Sequence, residues 1–452
     1  MAPTTARPTG TALALLTTFT LLLTSLGLRP ALADPVLTDD PAEAAAGWLV
    51  TALTDEPAVG SDFGPSVGPT IDVLFGLAAV GVAAGTIEDI ADWVTIETAN
   101  YTQGAAFGDD ADDPAYAGAT AKLALGLLVV DRDPRDAAGI DLIDQLLSLE
   151  IEDPDDGIAG RFSDRSEFGD FSTPLTQALA LLALDRASGI DPSAPSISAL
   201  ADQACADGGF PSQFAPETCT SSVDTTGLAV QALAAVGADD AAADAVAWLE
   251  SVQAADGSFS SPDGVNTNST GLAAAALAVA GASDAAAAAG AWIVSQQDGC
   301  DTDSPGAIPF NVDDRGSVEL ATSQAILGLV GTSLAAISSA DASTTVPTLD
   351  CGSAEEGEDT PTEEPTEEPS EEPTEEPTEE PSEEVDEEPS ETPTEEVDEE
   401  PAAEEEDIPR PTRVDSGLSP SVPAWQVLTL LLGALLLAGG IVTGLQQRRE
   451  PR

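Results

Sequence analysis

The sequence predicts an all-α fold, six helical hairpins closed into a ring. Three observations lead there. Six apolar segments resemble one another and recur at a spacing of about fifty residues, the signature of a repeat built from one supersecondary unit. Each is followed by a second helical stretch, then by a loop carrying an aromatic residue. The pattern also opens on a lone second-type stretch, a half-unit that completes the last hairpin if the chain closes on itself. An open stack would instead need a cap at each end.

Taken in order, residues 1–33 read as a secretory signal: Arg7, an apolar run from Ala12 to Leu28, and the small residues of Ala31-Leu32-Ala33. Cleavage is expected before Asp34, with an uncleaved anchor as the alternative. The ring domain is expected over 34–353. Its half-unit spans roughly Ala42 to Leu53. The first-type segments read TIDVLFGLAAVG, TAKLALGLLVVD, PLTQALALLALD, TGLAVQALAAVG, TGLAAAALAVAG and LATSQAILGLVG, ending at Gly81, Asp131, Asp185, Gly237, Gly281 and Gly331. Trp48, Trp93, Trp248 and Trp292 mark four of the second stretches. Phe63, Phe107, Phe162, Phe210, Phe259 and Phe310 mark the loops, and these aromatics are expected to anchor hairpin junctions.

Aligned on their last residues, the first-type segments share a leucine column: Leu77, Leu127, Leu181, Leu233, Leu277 and Leu327. An apolar column repeated in every unit is core. Five residues earlier stand Asp72, Lys122, Thr176, Leu228, Leu272 and Thr322, a column expected near the mouth of a central cavity. Asp72 and Lys122, the sole lysine, would sit on neighbouring helices and could pair. Three residues further on come Phe75, Leu125, Leu179, Gln231, Ala275 and Ala325, beside a column of mostly glycine and alanine. Small residues leave room for an apolar-walled pocket or let thin helices collapse onto it. Asp72, Lys122, Thr176, Thr322, Phe75 and Gln231 are therefore the candidate ligand contacts.

Four cysteines, Cys205, Cys219, Cys300 and Cys351, stand in a chain expected outside the cell, which favours disulfides. Cys205–Cys219 and Cys300–Cys351 are the expected pairs, each stapling a loop beside a repeat junction. The absence of histidine and of any close cysteine pair disfavours zinc, and excludes Ser/His and Cys/His nucleophilic pairs. No phosphate loop or dinucleotide fingerprint is present, so no cofactor is implied.

Residues 354–421 form a low-complexity stalk, with PTEEPTEEPSEEPTEEPTEEP inside it and no basic residue between Glu355 and Asp407. Recurrent proline blocks regular structure and like charges repel, so an extended spacer is expected, reaching on the order of 150 Å. Residues 422–445 are uncharged and long enough to cross a bilayer, with Trp425 at the entry edge. The basic tail, 446–452, should stay inside. The expectation is a single-pass cell-membrane protein displaying its ring at the cell surface, as a monomer. This layout resembles wall-anchored surface proteins, but SGLSPSVPAW stands where a sortase pentapeptide would be. With 81 acidic against 14 basic residues, nucleic-acid binding is not expected.

The phrase AWLESVQAADGSF, with Trp248, Leu249, Gln253, Gly257 and Phe259, resembles the QW-type motif of the prenyltransferase and squalene-oxidase repeat. The resemblance covers roughly Pro41 to Gly331. It implies an (α/α)6 toroid, first-type helices inside and second-type helices outside. Relatives of that kind include terpenoid cyclases, protein prenyltransferase β subunits and cobalamin carriers. Asp110-Ala111-Asp112-Asp113 matches the DxDD string from which class II cyclases protonate substrate, making Asp110, Asp112 and Asp113 catalytic candidates. They stand some six residues before the helix start at which the family places the string. With Asp109 they are also Ca²⁺ candidates. The favoured reading is a non-catalytic domain binding a small molecule or a surface partner. A cyclase-like enzyme acting on an isoprenoid and a structural spacer are the alternatives.

Overall fold

A computed structural model describes residues 36–54, 56–61, 64–109, 111–311, 313 and 315–352. The expected signal, stalk, transmembrane helix and tail lie outside the described residues. Among those described, no helix is long and apolar enough to cross a membrane.

Six inner helices follow the first-type segments: α2 (Val67–Val80), α5 (Ala117–Val129), α7 (Pro174–Arg186), α9 (Val223–Ala235), α11 (Thr267–Val279) and α13 (Val318–Val330). The outer helices are α1 (Pro41–Ala52), α3 (Ala84–Ile96), α6 (Leu142–Leu147), α8 (Ala194–Ala201), α10 (Asp239–Val252) and α12 (Ser283–Gln296), with a short α4 (Thr98–Thr102) after α3. Each inner helix packs on the next, and α13 packs back on α2, so the ring closes. The half-unit α1 packs against α13 and completes the last hairpin. This is the α/α toroid that the repeat pattern predicts.

Local chemistry sets the helix ends. Asp40, Asp141, Thr173, Ser193, Ser222 and Asn266 accept first-turn N–H groups as N-caps. Gly81 and Gly331 end their helices in the left-handed conformation. The six leucines of the repeated column are all at most 3 % exposed. Each such burial stabilises by roughly 1.5–3 kcal/mol.

The phrase that resembles a QW-type motif has a physical role. Gln253 Nε2 donates to Gly257 O (3.0 Å) and to Ala285 O on the next outer helix (2.9 Å). Gln297 repeats this at the closing seam, donating to Gly306 O and to Pro41 O at the start of α1, both at 2.9 Å. Gly257 (φ +94°) and Gly306 (φ +93°) bring these loops onto the neighbouring helix: a Cβ would lie 2.2 Å from Ala288 O and 2.6 Å from Ala44 O. The motif therefore fastens one hairpin to the next, and its last copy fastens the end of the ring to its beginning.

Short antiparallel ribbons lie where loops enter the inner helices: β2 (Val59–Ser61) with β3 (Gly64–Ser66), β4 (Phe210–Pro211) with β5 (Ser221–Ser222), and β6 (Ser260–Ser261) with β7 (Gly264–Val265). One parallel pair, β1 (Val36–Thr38) with β8 (Pro347–Leu349), joins the two ends of the described chain. Both expected disulfides form, Cys205–Cys219 and Cys300–Cys351.

Candidate functional site

The centre of the ring is filled. The void there measures about 10 Å³ and is lined by Asp72, Phe75, Lys122, Leu179, Leu272, Ser323, Gln324, Leu327 and Leu334. That is room for about one water molecule. Three features close it. Gly227 and Gly271 let inner helices meet backbone to backbone: a Cβ would lie 2.9 Å from Leu272 O and 2.4 Å from Gln324 O, respectively. Lys122 Nζ lies 2.7 Å from Asp72 Oδ2, and both groups are buried. Finally, Leu334 enters from the far end of the ring.

Leu334 belongs to a plug formed by the chain after α13. Leu334 N donates to Gln231 Oε1 at 3.0 Å, and Arg186 Nη1 donates to Leu334 O and Ala335 O. Ser339 N then donates to Val129 O, and Ser343 N to Gly81 O. Segment 332–349 thus crosses the C-terminal ends of the inner helices and gives donors to carbonyls that would otherwise lack them. Its contacts with Gln231 and Arg186 are the lumenal side of that seal.

Several sequence expectations change here. Thr322 was expected among the ligand contacts, but its hydroxyl accepts Ile308 N (2.9 Å) and donates to Ile308 O (3.1 Å). Thr70, Thr226 and Thr270 likewise accept the N–H of Val59, Phe210 and Phe259. Thr322 is therefore their equivalent, and aligning on Gly331 shifts the last repeat by two residues. Gln324 occupies the lumenal position assigned to Thr322, and Ile308 takes the junction role expected of Phe310. Phe63 lies outside the described residues. Gln231 holds the plug, and Thr176 takes part in the N-terminal turn of α7, where its N–H donates to Thr173 Oγ1. Asp72, Lys122 and Phe75 do line the void. Its other lining groups Gln324, Leu327, Ser323 and Leu334 were not foreseen there; matching the repeats on threonine rather than glycine would have placed the first two in the lumenal columns.

Asp112 and Asp113, and Asp109 beside the string, do not line the lumenal void. Asp109 accepts Tyr116 OH (2.8 Å), Ala111 N (3.0 Å) and Glu167 N (3.2 Å), pinning two loops together. Burial would raise its pKa, but hydrogen bonds led by Ser166 outweigh it and hold Asp109 below the usual carboxylate range. Burial and the Asp109 charge push Tyr116 up to about 12. Asp113 pairs with Arg165 at 2.7 Å, Asp112 is exposed, and Asp110 lies outside the described residues. No acidic cluster suited to a metal ion occurs among the described residues.

A recess of about 390 Å³ lies at the N-terminal ends of α7 and α9. Its walls come from Thr173 and Leu175, the loop 212–222, the first turn of α9 and the β6 turn. Asp224, in that first turn, was not singled out from sequence. Its Oδ1 is shut off from solvent and makes no hydrogen bond, and the buried Ser269 Oγ likewise makes none. Burial pushes Asp224 above its ordinary value; the nearby Ser269 hydroxyl opposes this without completing a hydrogen bond, and Asp263 adds to it. A larger groove, about 560 Å³, lies between α1 and α12 and the C-terminal ends of the inner helices α2, α11 and α13. It is lined mostly by alanine, glycine and valine, with Asp40 and Glu43 at its edge and none of the hydroxyl and amide side chains that line the recess.

No protein-family profile matches the sequence, and no curated protein is significantly similar to it. Solved structures are similar in fold. A type II terpene cyclase from Scytonema, in complex with geranylgeranyl dihydroxybenzoate, matches 64 % of this chain and 96 % of its own at 16 % identity, with a TM-score of 0.47. A protein geranylgeranyltransferase-I from Candida albicans, complexed with GGPP, matches 65 % and 91 % at 14 % identity, TM-score 0.44. An ent-copalyl diphosphate synthase from Streptomyces platensis matches 59 % of this chain at 19 % identity, TM-score 0.43; this chain spans half of its length. The class itself, an α/α toroid, rests on the closed ring of helix contacts.

Proposed function

We propose that the chain is a non-catalytic cell-surface binding protein whose toroid engages its ligand on the loop face rather than in the lumen. The observation that carries this is the filled centre: a void of about 10 Å³ beside a buried ion pair and beneath a plug. An isoprenoid needs a pocket in the usual range of roughly 300–1,000 Å³. The loop-face recess falls in that range. The signal-like N-terminus, the acidic Pro-rich tract and the apolar C-terminal segment of the sequence support display outside a cell membrane through a single span. The acidic balance argues against nucleic-acid partners.

The test incubates full-length protein with geranylgeranyl diphosphate and analyses the extract by gas chromatography and mass spectrometry. Unchanged substrate is expected. A cyclised product above the no-protein control overturns the reading in favour of a cyclase-like enzyme.

A further inference from the structure

We infer that the loop-face recess is a site for a neutral polyhydroxylated ligand, a saccharide. The inference rests on the binding-module reading and names the ligand class of its site. Four polar side chains on the recess wall, Ser212, Gln213, Thr220 and Ser260, make no side-chain hydrogen bond among the described residues and so face the recess and solvent. They offer donors and acceptors together, as a sugar's hydroxyls require. Other wall hydroxyls serve the frame: Ser222 Oγ accepts Thr225 N, and Ser221 Oγ donates to Asp207 Oδ1. Leu175, Val223 and Pro262 supply apolar surface for the C–H faces of a ring.

Charge narrows the choice. No lysine or arginine lines the recess, and Asp224 is its one acidic residue, so an anionic ligand finds no cationic side chain there and meets a carboxyl instead. A cationic ligand is also disfavoured, because burial works against the Asp224 charge that would attract it. In its neutral form the same carboxyl can donate as well as accept, which suits a hydroxyl. The wall is also prebuilt. Cys205–Cys219 staples the loop that carries Ser212 and Gln213, and Ser221 and Ser222 pair with Pro211 and Phe210. A stapled wall has less to order on binding.

The experiment titrates full-length protein in nanodiscs with glucose, N-acetylglucosamine and chitobiose by calorimetry, using ethanolamine as a cationic probe. Saturable binding of at least one sugar is expected, at millimolar affinity or better. Gln213→Ala and Thr220→Ala, both exposed positions that leave the core untouched, should each weaken it roughly fivefold. Asp224→Leu, which removes both the donor and the acceptor, should weaken it further. Three outcomes overturn the inference: no saturation by any sugar up to about 10 mM, sugar binding indifferent to all three variants, or saturation by ethanolamine alone. Isoprenoid turnover is read on the same preparation. Silence in both assays removes only the ligand class, whereas turnover removes the binding-module reading itself.

Discussion

Gln231 Oε1 accepts the backbone N–H of Leu334 at 3.0 Å, joining the middle of α9 to a segment 103 residues later. Both groups are buried, so the bond seals one end of the ring and fixes the plug. Gln231→Leu should leave the Leu334 N–H without an acceptor, at a cost of about 1–3 kcal/mol. The loss should be local first. Hydrogen exchange at Leu334 and its neighbours is expected to quicken while the inner-helix amides keep their protection. Uniform loss of protection across the ring would mean that the plug does not open separately.

Lys122 and Asp72 test whether the filled centre is a stability device or a burden. Removing one partner strands a buried charge, and Lys122→Met alone should cost roughly 3–5 kcal/mol. The double variant Asp72→Leu with Lys122→Met leaves no orphan charge, so its stability should return close to that of the parent or exceed it. Urea unfolding of the three proteins checks this. Burial also shields the chain's sole lysine from chemistry. An amine-reactive reagent should modify the folded protein at its α-amino group alone, and reach Lys122 only after denaturation.

Much of this was legible in the sequence because it repeats. The buried leucine of the early repeats, the closing half-unit and the adjacency of Asp72 and Lys122 follow from the repeat spacing, and both disulfides from the loops beside its junctions; in the last repeat Leu327 instead lines the central void. What escaped depends on distances that spacing does not encode. The small residues of the inner helices were compatible with a pocket or with close approach; Gly227 and Gly271 are spent on approach. The plug has no periodicity, so residues 332–349 read as a trailing segment. The register of the last repeat slipped because α13 is two residues shorter between its threonine and its terminal glycine than α11 is. Asp224 looked like any first-turn acid, and only the fold shows that one of its oxygens is buried without a partner.

Gly257 and Gly281 separate two reasons for glycine. Both have positive φ, +94° and +80°. A Cβ on Gly281 would meet nothing within 4 Å, whereas on Gly257 it would collide with the backbone of α12 at 2.2 Å. Gly281→Ala should therefore cost about 1–2 kcal/mol, the price of a left-handed alanine. Gly257→Ala should exceed it by several kcal/mol, because backbone must move and the Gln253 bonds to Gly257 and Ala285 go with it. Thermal melts of the two variants give the comparison. Equal destabilisation would show that the loop can lift from α12 at little cost.

Asp164 predicts a pH dependence whose sign is unusual for an aspartate. Burial raises its pKa to about 6, despite backbone N–H bonds from Ala117 (2.7 Å) and Phe171 (2.9 Å) that favour the charged form. The native state therefore holds this proton more tightly than the unfolded chain. The resulting stability is fully present below the ordinary value of 3.8 and is lost as pH rises through about 6. Discounted for partial exposure, the contribution is on the order of 2 kcal/mol. Asp109, Asp170 and Asp207 are shifted downward and act in the opposite direction, so the net curve of the parent is not diagnostic. The difference between the parent and Asp164→Asn is. An amide cannot change charge, and it cannot accept from Ala117 and Phe171 through both of its ends, so the variant should be less stable at pH 4. Its deficit should then shrink between pH 4 and 7, as the parent alone takes on the cost of a buried charge. Denaturant midpoints measured at intervals over that range supply the curve. A deficit that grows with pH would place Asp164 among the ordinary, downward-shifted carboxylates and remove burial as the dominant influence at this loop.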